Sequence, residues 1–333
     1  MPFVYHEDDG DLGDLSGRQV GIIGYSNLGR AMALNLRDSG VAAVIGARGE
    51  NSRDQARAEG FETVSIEEAV RRSQIIFMLL PDEVMPEFYL ELVSPHLKRG
   101  DMLVFGSAYN VAFGFIEAPA FVDVGLVAPR MLGAALRERF ESGEGFCSFV
   151  AVGQDATGQA WPVLLALAKA CGALRGGAVE VSFEQEAELD LFAQQVVLPM
   201  LQHVMVKAAS LLVSRGYPPE AVVTELYLSG ELGDYLHQAE STGLLPALHR
   251  ASLTGQYGMF SRLDRFNDLK LERLMEVTLD EIHDGRFAQE WAKDVADGCR
   301  RLNGLLKNQK ELELFELEQQ VLDLLGRPGD SSL

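Results

Sequence analysis

Between Gly17 and about Ser182 two hydrophobic patterns alternate along the chain. Short unbroken apolar runs, QVGIIG at 19–24, VAAVIGA at 41–47, QIIFMLL at 74–80 and DMLVFG at 101–106, are separated by stretches whose apolar residues recur three and four apart. An unbroken run has no polar face and suits a strand covered on both sides, while the longer period suits a helix packed along one side. The alternation predicts buried parallel strands joined by helices, a doubly wound α/β domain of Rossmann type over residues 1–182. After Phe183 the strand-like runs stop, and segments such as 183–214 and 267–282 carry the helical period throughout. The second domain is therefore predicted to be all-α over 183–326. Pro and Gly in GRPGDSSL end its last helix and leave 327–333 as a tail.

Composition then removes classes of function. The 333 residues are enough for two separate cores at roughly 150 residues each. Lys and Arg number 29 against 49 Asp and Glu, a net charge of −20 that repels phosphate and excludes a nucleic-acid partner. No apolar run reaches the about 18 uninterrupted residues of a bilayer span, and the acidic start MPFVYHEDDGDLGDL is unlike a secretory signal. No membrane partner and a cytoplasmic location are expected. Cys147, Cys171 and Cys299 have no paired spacing and read as reduced thiols, not as a disulfide framework or a zinc site.

The strongest chemical signal is VGIIGYSNLGRAMALNLRDSGV at 20–41, a strand, a glycine-bearing turn and a helix in series. In a dinucleotide fingerprint the first glycine makes the turn, the second lets backbone approach the pyrophosphate and the third lets helix and strand pack. Gly24 and Gly29 hold the first and third places, and Ser26 holds the second with a hydroxyl able to donate to phosphate. The turn Gly24, Tyr25, Ser26, Asn27, Leu28 and Gly29 is thus assigned to the cofactor. Beyond the second strand stand Arg48, Ser52 and Arg53, where an NAD site usually has an acid. A guanidinium suits the 2′-phosphate of NADPH, with Glu50 in the same loop leaving NADH as the alternative. Leu80, Pro81 and Asp82, ending the third strand, complete the cofactor set.

Many further segments resemble the ketol-acid reductoisomerase family in its short form. They include NLRDSGV at 35–41, LLPDE at 79–83, FGSAYNVAF at 105–113, DVGLVAP at 123–129, AVGQDATGQA at 151–160, ELDLFAQQ at 188–195, RGYPPE at 215–220 and EIHDGRFAQEW at 281–291. The resemblance implies a Rossmann domain followed by a knotted all-α domain, and a small-molecule substrate. It also implies a homodimer with intertwined helical domains, in which Glu225 reaches the partner's site. The implied reaction is a magnesium-dependent alkyl shift in an acetohydroxy acid followed by hydride transfer from NADPH to the new ketone.

Several implied site positions have changed. The family holds metal on carboxylate pairs four residues apart on helices; here Asp190 is followed by Gln194, and Glu225 by Ser229. Neutral ligands in place of two anions weaken the pull on a strongly hydrated cation, so magnesium is not assigned, and Asp190 and Glu225 are the only positions left for one. Ser107 in GSAYN replaces the histidine of the family's AHGFN, removing a group that titrates near neutral pH. Arg130 in VAPRMLG replaces a lysine with a fork suited to a substrate carboxylate, and Ser252 in ASLTGQYG keeps the family's substrate-contacting serine. The resulting expectation is an NADPH-dependent reductase of a carboxylate-bearing ketone or imine that no longer performs the shift. Asp190 and Glu225 would stabilise a positive nitrogen, while Ser107, Gln194, Ser229 and Ser252 would serve as neutral contacts. Retained reductoisomerase activity and a non-catalytic NADPH-binding protein are the alternatives.

Overall fold

The computed structural model describes residues 3–267 and 270–327. The chain divides into two compact units, Met1–Asp190 and Leu191–Leu333. The expected tail falls almost wholly on 328–333, outside the described residues.

The first unit is built on nine strands: β1 (Val4–Tyr5), β2 (Val20–Ile23), β3 (Ala43–Gly46), β4 (Glu62–Val64), β5 (Ile75–Met78), β6 (Met102–Phe105), β7 (Asp123–Pro129), β8 (Ser148–Gln154) and β9 (Ala178–Glu180). They lie in the order β1-β9-β8-β7-β6-β5-β2-β3-β4. Strands β2 to β7 are parallel to one another. The sheet is not parallel throughout, however: β8 runs antiparallel to β7, and β1 runs antiparallel to β9. The short polar strand β4 and the edge strand β1 leave no unbroken apolar run to mark them.

Successive residues of a strand face opposite ways, so the sheet carries two cores. Ile22, Ile75, Phe77 and Val104 join one cluster, with the helices Asn27–Asp38 and Ala160–Cys171 behind it. Ile23, Ile76, Met78, Leu103 and Phe105 join the other, with the helix Ile66–Arg72. Burial on both faces is why these strands read as continuous apolar runs. The chain leaves β2 in one direction along the sheet to β3 and β4, then returns past β2 to β5. Carboxyl ends of strands at such a reversal are where open α/β sheets bind ligands.

The second unit is helical. The helix that begins at Phe183, in the first unit, continues through a π turn at Ala193–Val197 into the helix Leu198–Ser214. By length and composition alone this helix is long and apolar enough to cross a membrane, although it holds no uninterrupted apolar run of that length: scattered polar positions leave its mean hydropathy at 1.7 over the best 18-residue window. A second π turn lies at Thr224–Leu228.

Candidate functional site

Five loops leaving the carboxyl ends of β2, β3, β5, β6 and β7, together with the helix Phe183–Phe192, carry the candidate residues of the first unit. At β2, Gly24 adopts φ 101, and a Cβ there would lie 2.5 Å from the Leu79 carbonyl oxygen. A Cβ on Gly29 would run into the Gly24 carbonyl. Both glycines are therefore dictated by close backbone packing. Ser26 is the extended N-cap of the helix Asn27–Asp38, with no capping bond from its own side chain. Free N–H groups and the positive end of the helix dipole are presented at exposed Ser26 and Asn27, which fits a pyrophosphate. Tyr25 is a correction: its side chain is buried, and its hydroxyl donates to Glu59 at 2.5 Å. Glu59 also pairs with Arg30 at 2.7 Å. Only the Tyr25 backbone is left for a cofactor.

At the end of β3, Arg48 is exposed, its guanidinium 5.5 Å from the centre of the Phe88 ring. Arg53 donates from Nε to the Ala47 carbonyl at 2.7 Å, so this arginine braces the loop. Ser52 is half-buried beside it, and Glu50 opens the helix Glu50–Ala58.

A polar cluster follows β5, β6 and β7. Asp82, placed with the cofactor by its sequence position, instead joins the loop after β6. Its carboxylate accepts a hydrogen bond from Asn110 Nδ2 at 3.3 Å, and its backbone carbonyl accepts from the same Nδ2 at 3.1 Å. Burial, followed by the charges of Glu186, Glu83 and Asp190, pushes the Asp82 pKa up to about 7. Glu186, 1% exposed, accepts from the Ala108 amide at 2.9 Å and from Arg130 Nη2 at 2.7 Å. Burial raises its pKa against the opposing Arg130 charge. Arg130 Nη1 reaches Asp190 at 3.1 Å, and the guanidinium lies 4.9 Å from the centre of the Phe149 ring. The fork expected to hold a substrate carboxylate is thus already held by two carboxylates of the chain.

Glu186 was missed in the sequence. It lies four residues before Asp190, one helical turn away, a signal submerged among 49 acidic residues. Tyr109 and Asn110 were missed as well: the Tyr109 hydroxyl and Asn110 Oδ1 are buried without hydrogen-bond partners.

The remaining expected residues belong to the second unit and are described within it. Gln194 lies on the π turn Ala193–Val197 and Glu225 on the π turn Thr224–Leu228, with Ser229 directly after it; all three are exposed. The α-helical spacing assumed for the pair Glu225 and Ser229 does not hold there, because a π turn bonds residue i to i+5. Ser229 Oγ accepts from the Glu231 amide at 3.3 Å. Ser252 caps the helix Leu253–Phe260, accepting from the Gly255 amide at 3.1 Å, which gives its hydroxyl a structural task.

The donor set does not fit a pair of magnesium ions. Asp190 is paired with Arg130, positions 194 and 229 carry neutral side chains, and no group of three or more His, Cys, Asp or Glu is arranged for a metal among the described residues.

A strand–turn–helix fingerprint at a sheet reversal, with a charged cluster at the adjoining strand ends, defines an NAD(P)H-dependent oxidoreductase. The family model described as "Acetohydroxy acid isomeroreductase, NADPH-binding domain" matches residues 14–177, and "Ketol-acid reductoisomerase, C-terminal domain" matches 183–326. The chain belongs to the ketol-acid reductoisomerase family. It is 36% identical to the ketol-acid reductoisomerase (NADP(+)) of Pyrobaculum calidifontis, over 98% of this chain and all of that protein. Against that of Methanothermobacter thermautotrophicus the identity is again 36%, over 97% of this chain and 98% of the relative. Among solved structures, an NADH-preferring ketol-acid reductoisomerase from an uncultured archean superposes with a TM-score of 0.90 at 31% identity, covering 97% of this chain and 99% of that one.

Proposed function

We propose that this protein is a reductase only: it transfers a hydride from NADPH to a ketone or imine and has lost the magnesium-dependent alkyl shift of its family. The observation that carries this reading is the Arg130 fork, which holds Glu186 at 2.7 Å and Asp190 at 3.1 Å. An alkyl shift needs concentrated positive charge on neighbouring substrate oxygens as negative charge moves between them. Here a permanent guanidinium neutralises the local carboxylates, and two further ligand positions are neutral. A carbonyl or imine reduction needs only a hydride, a proton and an orienting surface.

Arg130, Asp190, Glu186, Asp82 and Ser107 form the substrate side of this site, with three carboxyl groups against one guanidinium. That excess of acid favours a basic nitrogen and turns the choice toward imines. The engagement of Arg130 removes the residue on which a substrate carboxylate was to rest. When bound, NADPH supplies the hydride, and its pyrophosphate would be held at Ser26–Gly29. Exposed Arg48 is the residue offered to the 2′-phosphate, while the NADH preference named for one structural relative keeps NADH as the second cofactor to test. The protein is further proposed to be a cytoplasmic homodimer without nucleic-acid or membrane partners.

The test is NADPH oxidation by purified protein with 2-acetolactate, with cyclic imines and with simple ketones, each with magnesium and with chelator. Imine or ketone turnover indifferent to chelator, with none on 2-acetolactate, is the expected result. Magnesium-dependent turnover of 2-acetolactate would return the protein to its family's reaction. NADPH binding with no turnover would leave a non-catalytic binding protein.

A further inference from the structure

The loop after β7 carries an apolar side chain that the fold leaves unused. Leu132 is 84% exposed, although its backbone is held on both sides. Before it, Met131 packs against the core that includes Ile22 and Phe77. After it, Gly133 opens the helix Gly133–Ser142 and lies against the dinucleotide turn: a Cβ on Gly133 would sit 2.2 Å from the Asn27 carbonyl oxygen and 3.1 Å from the Leu28 amide nitrogen. The Leu132 carbonyl accepts from the Leu136 amide at 2.9 Å, and Leu132 is the N-cap of that helix. Ser, Thr, Asn or Asp at an N-cap would satisfy a free amide with its side chain, whereas this leucine makes no capping bond. The residue thus serves neither the helix end nor the core.

A single exposed leucine is ordinary on a protein surface, so its location decides what it means. Leu132 comes directly before the glycine that touches the phosphate turn and two residues after Arg130, whose fork holds Glu186 and Asp190. Leu28 ties the same place to the loop after β6: a Cβ on Gly106 would lie 3.1 Å from Leu28 Cδ2. The strand order β7-β6-β5-β2-β3 then sets the direction of the cofactor. With the pyrophosphate on the turn after β2 and exposed Arg48 marking the adenosine end after β3, the nicotinamide half runs the other way. It passes over the ends of β5, β6 and β7, where Leu132 stands.

We infer that Leu132 is the apolar seat of the dihydronicotinamide ring and favours reduced over oxidised cofactor. This inference rests on the reductase reading above. The dihydronicotinamide ring is neutral, and after it gives up a hydride it is a pyridinium cation. Contact with leucine removes ring surface from water, which favours the neutral ring and strips hydration from the charged one. Hydride transfer therefore loosens the hold on the spent cofactor and promotes its exchange. Glu186 and Asp190 act the opposite way by attracting the cation, but they are the same in wild type and in a Leu132 variant, so the comparison isolates the leucine.

The test is the pair of dissociation constants for NADPH and NADP+, measured by calorimetry on the whole chain without substrate. Leu132→Ser removes the apolar contact and supplies a good N-cap, so its urea midpoint should be no lower than that of wild type. Its dissociation constant for NADPH should rise about tenfold and that for NADP+ no more than about twofold, cutting the preference for reduced cofactor roughly fivefold. Leu132→Met keeps an apolar surface and should keep the wild-type preference. An unchanged ratio of the two constants in Leu132→Ser, including equal weakening of both, overturns the inference, as does an equal loss of preference in Leu132→Met. A wild-type protein that binds neither NADPH, NADP+, NADH nor NAD+ overturns it together with the reductase reading.

Discussion

Glu186 is an ionisable group taken almost wholly out of water, and its environment shows what that requires. A buried carboxylate is tolerated when its lone pairs are filled and its charge is balanced. The Ala108 amide and Arg130 supply both. Removing Arg130 would leave that charge uncompensated, so Arg130→Met is expected to destabilise the first unit by roughly 3–5 kcal/mol, read from urea unfolding. Arg130→Lys, which restores the family's residue, keeps a charge but cannot reach two carboxylates with a planar fork, and should fall between the two proteins. Equal stability of Arg130→Met and wild type would show that Glu186 is protonated and needs no partner.

Asp82 adds a pH dependence of definite sign. Between the ordinary value of 3.8 and about 7 the folded chain holds a proton that the unfolded chain has released. Stability therefore falls as pH rises through that window and is level above it, as far as this residue contributes. Urea midpoints should be lower at pH 7.5 than at pH 5, with the difference reduced in Asp82→Asn. A midpoint that rises over the same interval in wild type and is unaffected in the variant would contradict the placement of Asp82.

At the scale of elements, the fingerprint turn is where sequence and structure meet most closely. Gly29 allows the helix Asn27–Asp38 to pack against the end of β2, and backbone cannot give way as a flexible side-chain end does. Gly29→Ala is expected to cost on the order of 3 kcal/mol and to weaken NADPH binding at least tenfold, measured by denaturant titration and by quenching of protein fluorescence. Unaltered binding would mean that the pyrophosphate is held elsewhere.

The runs at 19–24, 41–47, 74–80 and 101–106 were legible because strands buried on both faces exclude polar side chains. Strand direction at β8 was not, since burial is the same for either direction. The site was legible only in parts. Arg130, Ser107 and Asp190 stand out by their type at a motif position, but their mutual pairing depends on loops brought together by the sheet. Asp82 could be placed at a strand end but not assigned a neighbour. The two π turns escaped for a different reason: one extra residue in a turn scarcely disturbs an apolar period, yet it breaks the i, i+4 register used to pair Glu225 with Ser229.

On the scale of the whole molecule, the helical unit is short of a core. Only 11% of the best apolar window of the helix Phe183–Ser214 is buried, and Leu198, Leu201, Val204 and Leu211 stand exposed along it. The helix Arg300–Lys310 adds exposed Leu302, Leu305 and Leu306, and within this unit a groove of about 430 Å³ is lined by Leu198, Leu201, Met205, Leu306 and Phe315. Apolar surface of this extent is uncommon on a soluble monomer and is ordinary at an obligate interface. A second copy of the chain is the occupant expected from the family, and such an interface buries the same face twice. Light scattering should give twice 36.5 kDa for the wild type. Introducing Leu201→Glu with Val204→Glu would place four carboxylates in the paired interface, enough to shift the mass to 36.5 kDa or to cause aggregation. Retention of the helical circular dichroism signal separates dissociation from unfolding. A wild-type monomer at micromolar concentration would leave these leucines unexplained by self-association, and a membrane surface would become the next partner to test.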